Sequence, residues 1–292
     1  MIDLHTHSNA SDGSLSPAAL IKSAADQGLS ALALTDHDTI NGIEAAQQEA
    51  LTQGIRFIPG VELEIARTQD IQQGDFHLLG LGINRPSKAF LEALAELTRL
   101  RDDRNLKILD CMRDQGIPVT LEEIRALSGG GSIGRPHFAS FLVNRGIVKN
   151  REQAFSRFLA KGKPFFMPKG ALEFRRALGI IKESGGLAVL AHPMSLYVSW
   201  GRLPALIREL AEQGLDGIEA WHPTAKVQAC KRLEALGLSL GLYITAGSDF
   251  HGEARPDRKL GITAGGRKIE NSLLENIPPL ASRCLVDTKA PV

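Results

Sequence analysis

Met1-Ile2-Asp3-Leu4-His5-Thr6-His7 is the stretch from which the rest of the chain can be read. A short apolar run over residues 1–5 ends on two histidines one residue apart. Side chains on an extended strand alternate faces with a period of two, so His5 and His7 point the same way and can hold one ion together. Similar apolar runs at 31–35, 57–63, 77–83, 187–191, 217–221 and 243–247 read as further strands. Amphipathic stretches at 16–27, 40–53, 173–183, 202–213 and 225–236 supply helices between them. Gly28, Gly54, Gly185, Gly214 and Gly237 each follow such a stretch, where a helix commonly ends. Alternation of this kind predicts an α/β fold whose parallel sheet, joined by right-handed crossovers, is open or closed into a barrel.

The alternation stops in the middle. From about residue 86 to 169 the pattern is almost wholly helical, beginning with a long charged stretch over 88–115. Thr120-Leu121-Glu122-Glu123 has the form of a capping box. Gly129-Gly130-Gly131 reads as a flexible joint, and short helices follow to about Lys161. The expected organisation is a strand–helix domain of residues 1–98 and 171–292 with a small helical insertion domain, 99–170. The alternative is that these helices are oversized crossovers.

A length of 292 residues suits one large domain or two smaller ones. With 43% hydrophobic and 23% charged residues, the composition is that of a soluble globular protein. The net charge of +1 gives no broad basic field for nucleic acid, which leaves only a local basic pocket to hold anions. Aromatic residues make up 5% of the chain, so no stacking platform for long single strands is evident. Cys111, Cys230 and Cys284 are widely spaced and read as reduced thiols. The first residues lack the pattern of a signal peptide, and no apolar run approaches the roughly 20 residues of a membrane span. A cytoplasmic protein with no membrane and no obligate protein partner is expected.

The chemistry lies in the histidines. Six of the eight, His5, His7, His37, His192, His222 and His251, fall at or just beyond the end of an expected strand. Asp12, Asp36, Asp38 and Asp249 are their neighbours in sequence, and Glu62 closes another strand. In a barrel of parallel strands the carboxyl ends converge on one face, where active sites are built. His77 is the exception, because it lies at the start of its run. Either its strand begins earlier, or it reaches the site from elsewhere.

Imidazoles and carboxylates converging in this way make a nitrogen and oxygen site suited to Zn, Mn or Fe. A lone His-x-His or Asp-His is weak, but burying so many ionisable groups without metal would be costly. His5, His7, Asp12, His37, Glu62, His77, His192, Asp249 and His251 are nine candidates, too many for one tetrahedral ion. Two or three divalent ions with bridging carboxylates fit better. Such clusters lower the pKa of a bridging water and clamp phosphoryl oxygens, which favours phosphate ester hydrolysis, although amide hydrolysis uses similar clusters.

At these residues the sequence resembles the PHP family, named for polymerase and histidinol phosphatase. The resemblance is carried by Asp3-Leu4-His5-Thr6-His7 with Ser11-Asp12-Gly13, by Leu34-Thr35-Asp36-His37-Asp38, by Ala191-His192-Pro193, and by Gly247-Ser248-Asp249-Phe250-His251. Glu62 and His77 match the family's additional ligands. The resemblance covers roughly residues 1–85 and 187–265. It implies a distorted seven-stranded, TIM-like (β/α)7 barrel holding up to three metal ions, with Mn first among the candidates.

Within the family, the segment containing Gly134-Arg135-Pro136-His137 looks like the nucleoside 3′,5′-bisphosphate phosphatases. By that similarity the enzyme would remove the 3′-phosphate of compounds such as adenosine 3′,5′-bisphosphate, and short 5′-phosphorylated RNA is a second candidate substrate. The insertion would then hold the substrate's other phosphate through Arg135, whose planar fork suits phosphate oxygens, with His137 as a further donor. Lys161, Lys163, Lys169, Arg175 and Arg176 add positive charge, although any one of them alone reads more readily as solvated surface; Lys163 is the one carried as a substrate-binding candidate. His222 is the candidate for phosphate contact or proton donation, and Asp36 for orienting a ligand histidine.

The rivals are a histidinol-phosphate phosphatase, an amidohydrolase and a metal-binding module without turnover. The extended insertion argues for a larger, doubly charged substrate than histidinol phosphate. An amidohydrolase commonly bridges its ions with a barrel lysine, where this chain offers Glu62. A module without turnover would be expected to lack ligands, and none is missing here.

Overall fold

The apolar runs form one sheet in chain order: β1 (Ile2–Asp3), β2 (Ala31–Leu34), β3 (Arg56–Glu64), β4 (His77–Leu81), β5 (Leu187–Leu190), β6 (Gly217–Trp221) and β7 (Tyr243–Ala246). The computed structural model describes residues 1–128 and 131–282, so Gly129 and Gly130 of the expected joint, and Cys284, lie outside the described residues. The sheet curls until its ends meet. Leu4 donates its N–H to the Ala246 carbonyl at 3.3 Å, and Asp249 donates to the His5 carbonyl at 2.9 Å. The result is a distorted, nearly closed seven-stranded barrel.

One expectation fails. The sheet is not wholly parallel, because β4 runs antiparallel to both β3 and β5. No helix follows β3. The chain returns through the loop 65–76 and pairs Glu64 with His77 in register. The start of β4 therefore lies beside the carboxyl ends of its neighbours. This is how His77 reaches the same face as the other histidines although it opens its strand.

The helices owe their ends to local chemistry. Ser16 caps α1 (Pro17–Asp26) by accepting the Ala19 N–H at 3.2 Å, and Pro17 fills the first turn, where its missing N–H costs nothing. Gly54 ends α2 (Ile43–Gln53) with φ +67°, a conformation that costs glycine little. Thr120 and Glu123 make the expected capping box. Gly237 corrects the sequence reading: it lies inside a helix that continues to Ser239, and the left-handed residue beyond is Gly241. A side chain at Gly237 would run into Ile218 and Ile244, so glycine there serves close packing of helix on strand.

The middle helices have a core of their own. α3 (Lys88–Asp114) has 27 residues and is therefore about 40 Å long. Its first half buries Phe90, Ala93, Leu94 and Leu97 against the barrel core. Its second half places Ile108, Leu109 and Met112 in a separate apolar cluster. That cluster is completed by α4 (Leu121–Leu127), α5 (Arg135–Asn144) and α6 (Arg151–Ala154), which runs on as a π turn over Phe155–Leu159. The chain then returns to the barrel through α7 (Phe174–Glu183), α8 (Leu203–Glu212) and α9 (Val227–Ser239). Among the described residues no helix is long and apolar enough to cross a membrane.

Candidate active site

Glu62, near the end of β3, is the centre of the site. Its Oε1 lies 2.8 Å from both His77 Nδ1 and His192 Nε2. Its Oε2 lies 3.3 Å from His5 Nε2, 3.2 Å from His7 Nε2 and 3.1 Å from His37 Nδ1. Five imidazoles thus surround one carboxylate that is 1% exposed. Asp249 approaches from beyond β7, with Oδ1 at 3.6 Å from His5 Nε2 and 3.4 Å from His7 Nε2. Asp12 completes the far side, 3.2 Å from His251 Nε2 and 3.9 Å from His37 Nε2.

These nitrogens and oxygens are close, yet several make no hydrogen bond. His7 Nδ1, Asp12 Oδ1, His37 Nδ1, Glu62 Oε2, His222 Nε2 and His251 Nε2 are buried without a hydrogen-bond partner among the described residues. Orphaned buried donors and acceptors are costly unless something else satisfies them. Four sets converge tightly enough for that: His7, Asp12, His37 and His251; His5, Glu62 and His192; His5, His7 and Asp249; and His37, Glu62 and His77. Glu62, His5, His7 and His37 each belong to two sets, the pattern expected where neighbouring ions share ligands. All nine residues named from the sequence fall within these sets.

The electrostatics point the same way. Burial alone would raise the Glu62 carboxyl, but His37, His77 and His5 hold it well below the usual carboxylate range. Asp249 is likewise held low against its burial, chiefly by His251 and His222. Burial opposes charge on His7, yet Asp249 and Glu62 raise it to about 9. The cluster is thus a set of committed anions in which His5, His7 and His77 are raised, against their burial, by the neighbouring carboxylates, whereas burial lowers His37 to about 3 and keeps it neutral.

Around the cluster lies a layer of positioning groups. Glu219, from the middle of β6, takes His5 Nδ1 at 3.0 Å on one oxygen and accepts the His192 N–H at 2.7 Å on the other. Fixing the far nitrogen of a ligand histidine sets its tautomer and aim. Asp36 contacts no histidine through a hydrogen bond. It accepts from the Ser8 N–H at 2.8 Å and from the Ser8 and Ser11 hydroxyls, so it braces the loop between His7 and Asp12. Asp3 accepts from Ser248 and Gly261, and burial pushes it up to about 6. Gly247 is packed so closely that an added Cβ would overlap the His5 side chain and press on Glu219. Gly247→Ala is expected to fold but to displace His5, weakening Mn binding in a calorimetric titration by at least about tenfold, on the scale of disturbing an outer-shell partner.

A cavity of about 220 Å³ opens from this cluster toward the helical segment. Asp12, His37 and His77 form its floor, and Arg101, Arg104 and Arg135 stand among its walls. Arg135 lies with its guanidinium 5.8 Å from the Phe166 ring centre. His137 does not line the cavity; its Nδ1 accepts the Gly134 N–H at 2.9 Å and caps α5. Lys163 is exposed and is also absent from the lining. His222 stands beside the cluster, with Nε2 3.4 Å from Asp249 Oδ2.

Residues 3–166 match the model of the PHP domain, more than half of the chain. The chain belongs to the PHP family. Its PHP relatives include the 5′-3′ exoribonuclease Rnm of Escherichia coli, 35% identical over 90% of each chain. The 3′,5′-nucleoside bisphosphate phosphatase of Chromobacterium violaceum is 31% identical over 96% of this chain and 93% of its own. A solved structure of an amidohydrolase from the same organism, holding sulfate and no metal, superposes with a TM-score of 0.82 at 31% identity. It covers 94% of this chain and 96% of that one. As a PHP protein the molecule is a metal-dependent phosphoesterase, and its His, Asp and Glu clusters provide the donors for divalent ions.

Several members of this PHP site carry little signal in the sequence. Glu219 sits inside an apolar run as Gly217-Ile218-Glu219-Ala220-Trp221, and only the buried position of its carboxylate reveals its task. Arg101 and Arg104 look like two cations among many on a charged helix, yet each side chain is about 5% exposed. The available signal was helical spacing: Leu97, Arg101 and Arg104 continue the stripe that Phe90, Ala93 and Leu94 begin.

Proposed function

We propose that the protein removes the 3′-phosphate from nucleoside 3′,5′-bisphosphates and holds the 5′-phosphate in the cationic end of the cavity. One observation carries the reading. Arg104 is buried with no carboxylate within ion-pair distance among the described residues, and its Nε has no hydrogen-bond partner. Its one side-chain bond is to Asn105 Oδ1, at 2.8 Å. A buried guanidinium without an anion is expensive, and a phosphate is the ligand whose oxygens match its fork. Arg135, beside it in the cavity, also has no acidic partner among the described residues. Metal ligands at one end and cationic anion holders at the other suit a substrate with two phosphates.

The donor set fits hard or borderline divalent ions, and we take Mn as the ion, with Fe or Zn as alternatives. The nine ligand residues would hold these ions, which when bound would supply a nucleophile at neutral pH and neutralise phosphoryl oxygens. The chain's own residues do the rest. Thr224 donates its N–H to His222 Nδ1 at 3.3 Å, which leaves Nε2 as the protonated nitrogen facing Asp249. His222 thereby offers a donor to a phosphoryl oxygen or to the leaving 3′-oxygen. Residues 99–170 act as the cap that closes the cavity and excludes water. Unpaired Cys111 and Cys230 accord with a cytoplasmic setting.

The likeness to the Escherichia coli exoribonuclease supports a second activity of the same site, on short RNA entering by its 5′-phosphate. The test is phosphate release by the Mn-loaded protein from adenosine 3′,5′-bisphosphate and histidinol phosphate, and release of 5′-mononucleotides from 5′-phosphorylated RNA. The bisphosphate is expected to give the highest kcat/KM, and adenosine 3′-monophosphate a value at least about 100-fold lower, the scale of losing two charged hydrogen bonds. Inactivity on both nucleotide substrates would sink the assignment.

A further inference from the structure

Lys169 stands where the helical segment rejoins the barrel, its side chain 18% exposed between two buried carboxylates. Nζ lies 3.0 Å from Glu64 Oε2 and 3.2 Å from Asp38 Oδ2. Arg101, on α3 where the chain leaves the barrel, donates to the same Asp38 oxygen at 2.6 Å and to the His37 carbonyl at 3.3 Å. The Glu64 carboxylate then touches a metal ligand, and Asp38 adjoins one in the chain. Glu64 Oε2 is 2.9 Å from His77 Nε2, whose Nδ1 faces Glu62 at 2.8 Å. Asp38 follows His37 with φ +51° and accepts the Glu64 N–H at 3.1 Å.

We propose that Lys169 is a positioning residue that makes occupancy of the metal position at His37, Glu62 and His77 depend on the docking of the helical segment. The inference rests on the PHP metal centre described above. A ligand histidine is oriented by what its other nitrogen bonds, and for His77 that group is Glu64. Glu64 is buried and needs a counter-charge to stay in place as an anion. Among the described residues, Lys169 is the one Lys or Arg within ion-pair distance of it. Asp38 is less dependent, because Arg101 also holds it. The counter-charge for Glu64 therefore arrives with the chain returning from the helical segment. Lys169 and Arg101 also line the substrate cavity, so the ammonium that steadies one metal ligand faces the incoming anion as well.

The test is a calorimetric Mn titration of the full chain, with the bound metal counted after dialysis. Lys169→Met is expected to weaken one site by about 10–100-fold, the usual scale for a lost outer-shell partner, and to leave the remaining sites unchanged. Lys169→Arg should restore that site, and Glu64→Gln should reproduce the loss, which also covers the case of a methionine variant that does not fold. Wild-type stoichiometry and affinity in both Lys169→Met and Glu64→Gln would overturn the proposal, as would equal weakening of every site. A wild-type chain that binds no divalent ion would overturn the metal centre itself, a separate result.

Discussion

Glu62→Gln is expected to lower kcat by about 1,000-fold or more while the barrel stays folded, the scale seen when a principal electrostatic element of a site is lost. The substitution keeps the size of the side chain and one carbonyl oxygen. It removes the negative charge that five imidazoles surround at 2.8–3.3 Å. Whichever way the amide turns, an NH2 group must face either the His77 and His192 nitrogens or those of His5, His7 and His37. An amide nitrogen is no metal ligand, so the single remaining carbonyl oxygen cannot serve both of the donor sets that share Glu62. Metal analysis should show fewer ions per chain, and added Mn should not restore the rate. If the variant kept both its metal and its kcat, Glu62 would not be the centre of the site. The fold should survive because the imidazoles, once relieved of that carboxylate, are stable as neutral rings in a buried setting.

The strands and the candidate ligands at their ends were legible because two periodicities coincide in the sequence, whereas closure into a barrel was implied by the family resemblance. The apolar runs mark the strands, and five of the metal ligands sit just past them, so a linear pattern reports a three-dimensional ring. The direction of β4 was not legible. Residues 77–83 look like any buried strand, and nothing local says whether the chain arrives from the same end of the barrel or from the other. Only the misplaced His77 gave a hint, which the antiparallel pairing resolves. The groups around the ligands were hidden for another reason. Glu219, Glu64, Arg101 and Lys169 act through burial and through partners on other elements, and burial of a charge is a tertiary property. Arg135 was singled out through the resemblance carried by Gly134-Arg135-Pro136-His137, whereas Lys163, equally cationic in sequence, is solvated.

Arg104→Met should lower kcat/KM for adenosine 3′,5′-bisphosphate by about 100–1,000-fold, most of it in KM, because a charged hydrogen bond to phosphate is worth about 1.5–3 kcal/mol and a guanidinium makes two. The guanidinium keeps its charge at neutral pH even though burial, Arg135 and Arg101 lower it to about 10. It is thus a cation maintained at a cost, and methionine fills nearly the same volume without that cost. Thermal stability of the free protein should therefore hold or rise, since replacing a buried, poorly paired charge by an apolar side chain is often neutral or stabilising. The decisive comparison is between substrates. With adenosine 3′-monophosphate, which has nothing to place against Arg104, the substitution should change the rate little. Equal losses on the two substrates would mean that Arg104 supports the architecture of the cavity and that the second phosphate is held elsewhere. A loss confined to the bisphosphate, in a chain no less stable than before, ties the unpaired guanidinium to the phosphate it was kept for.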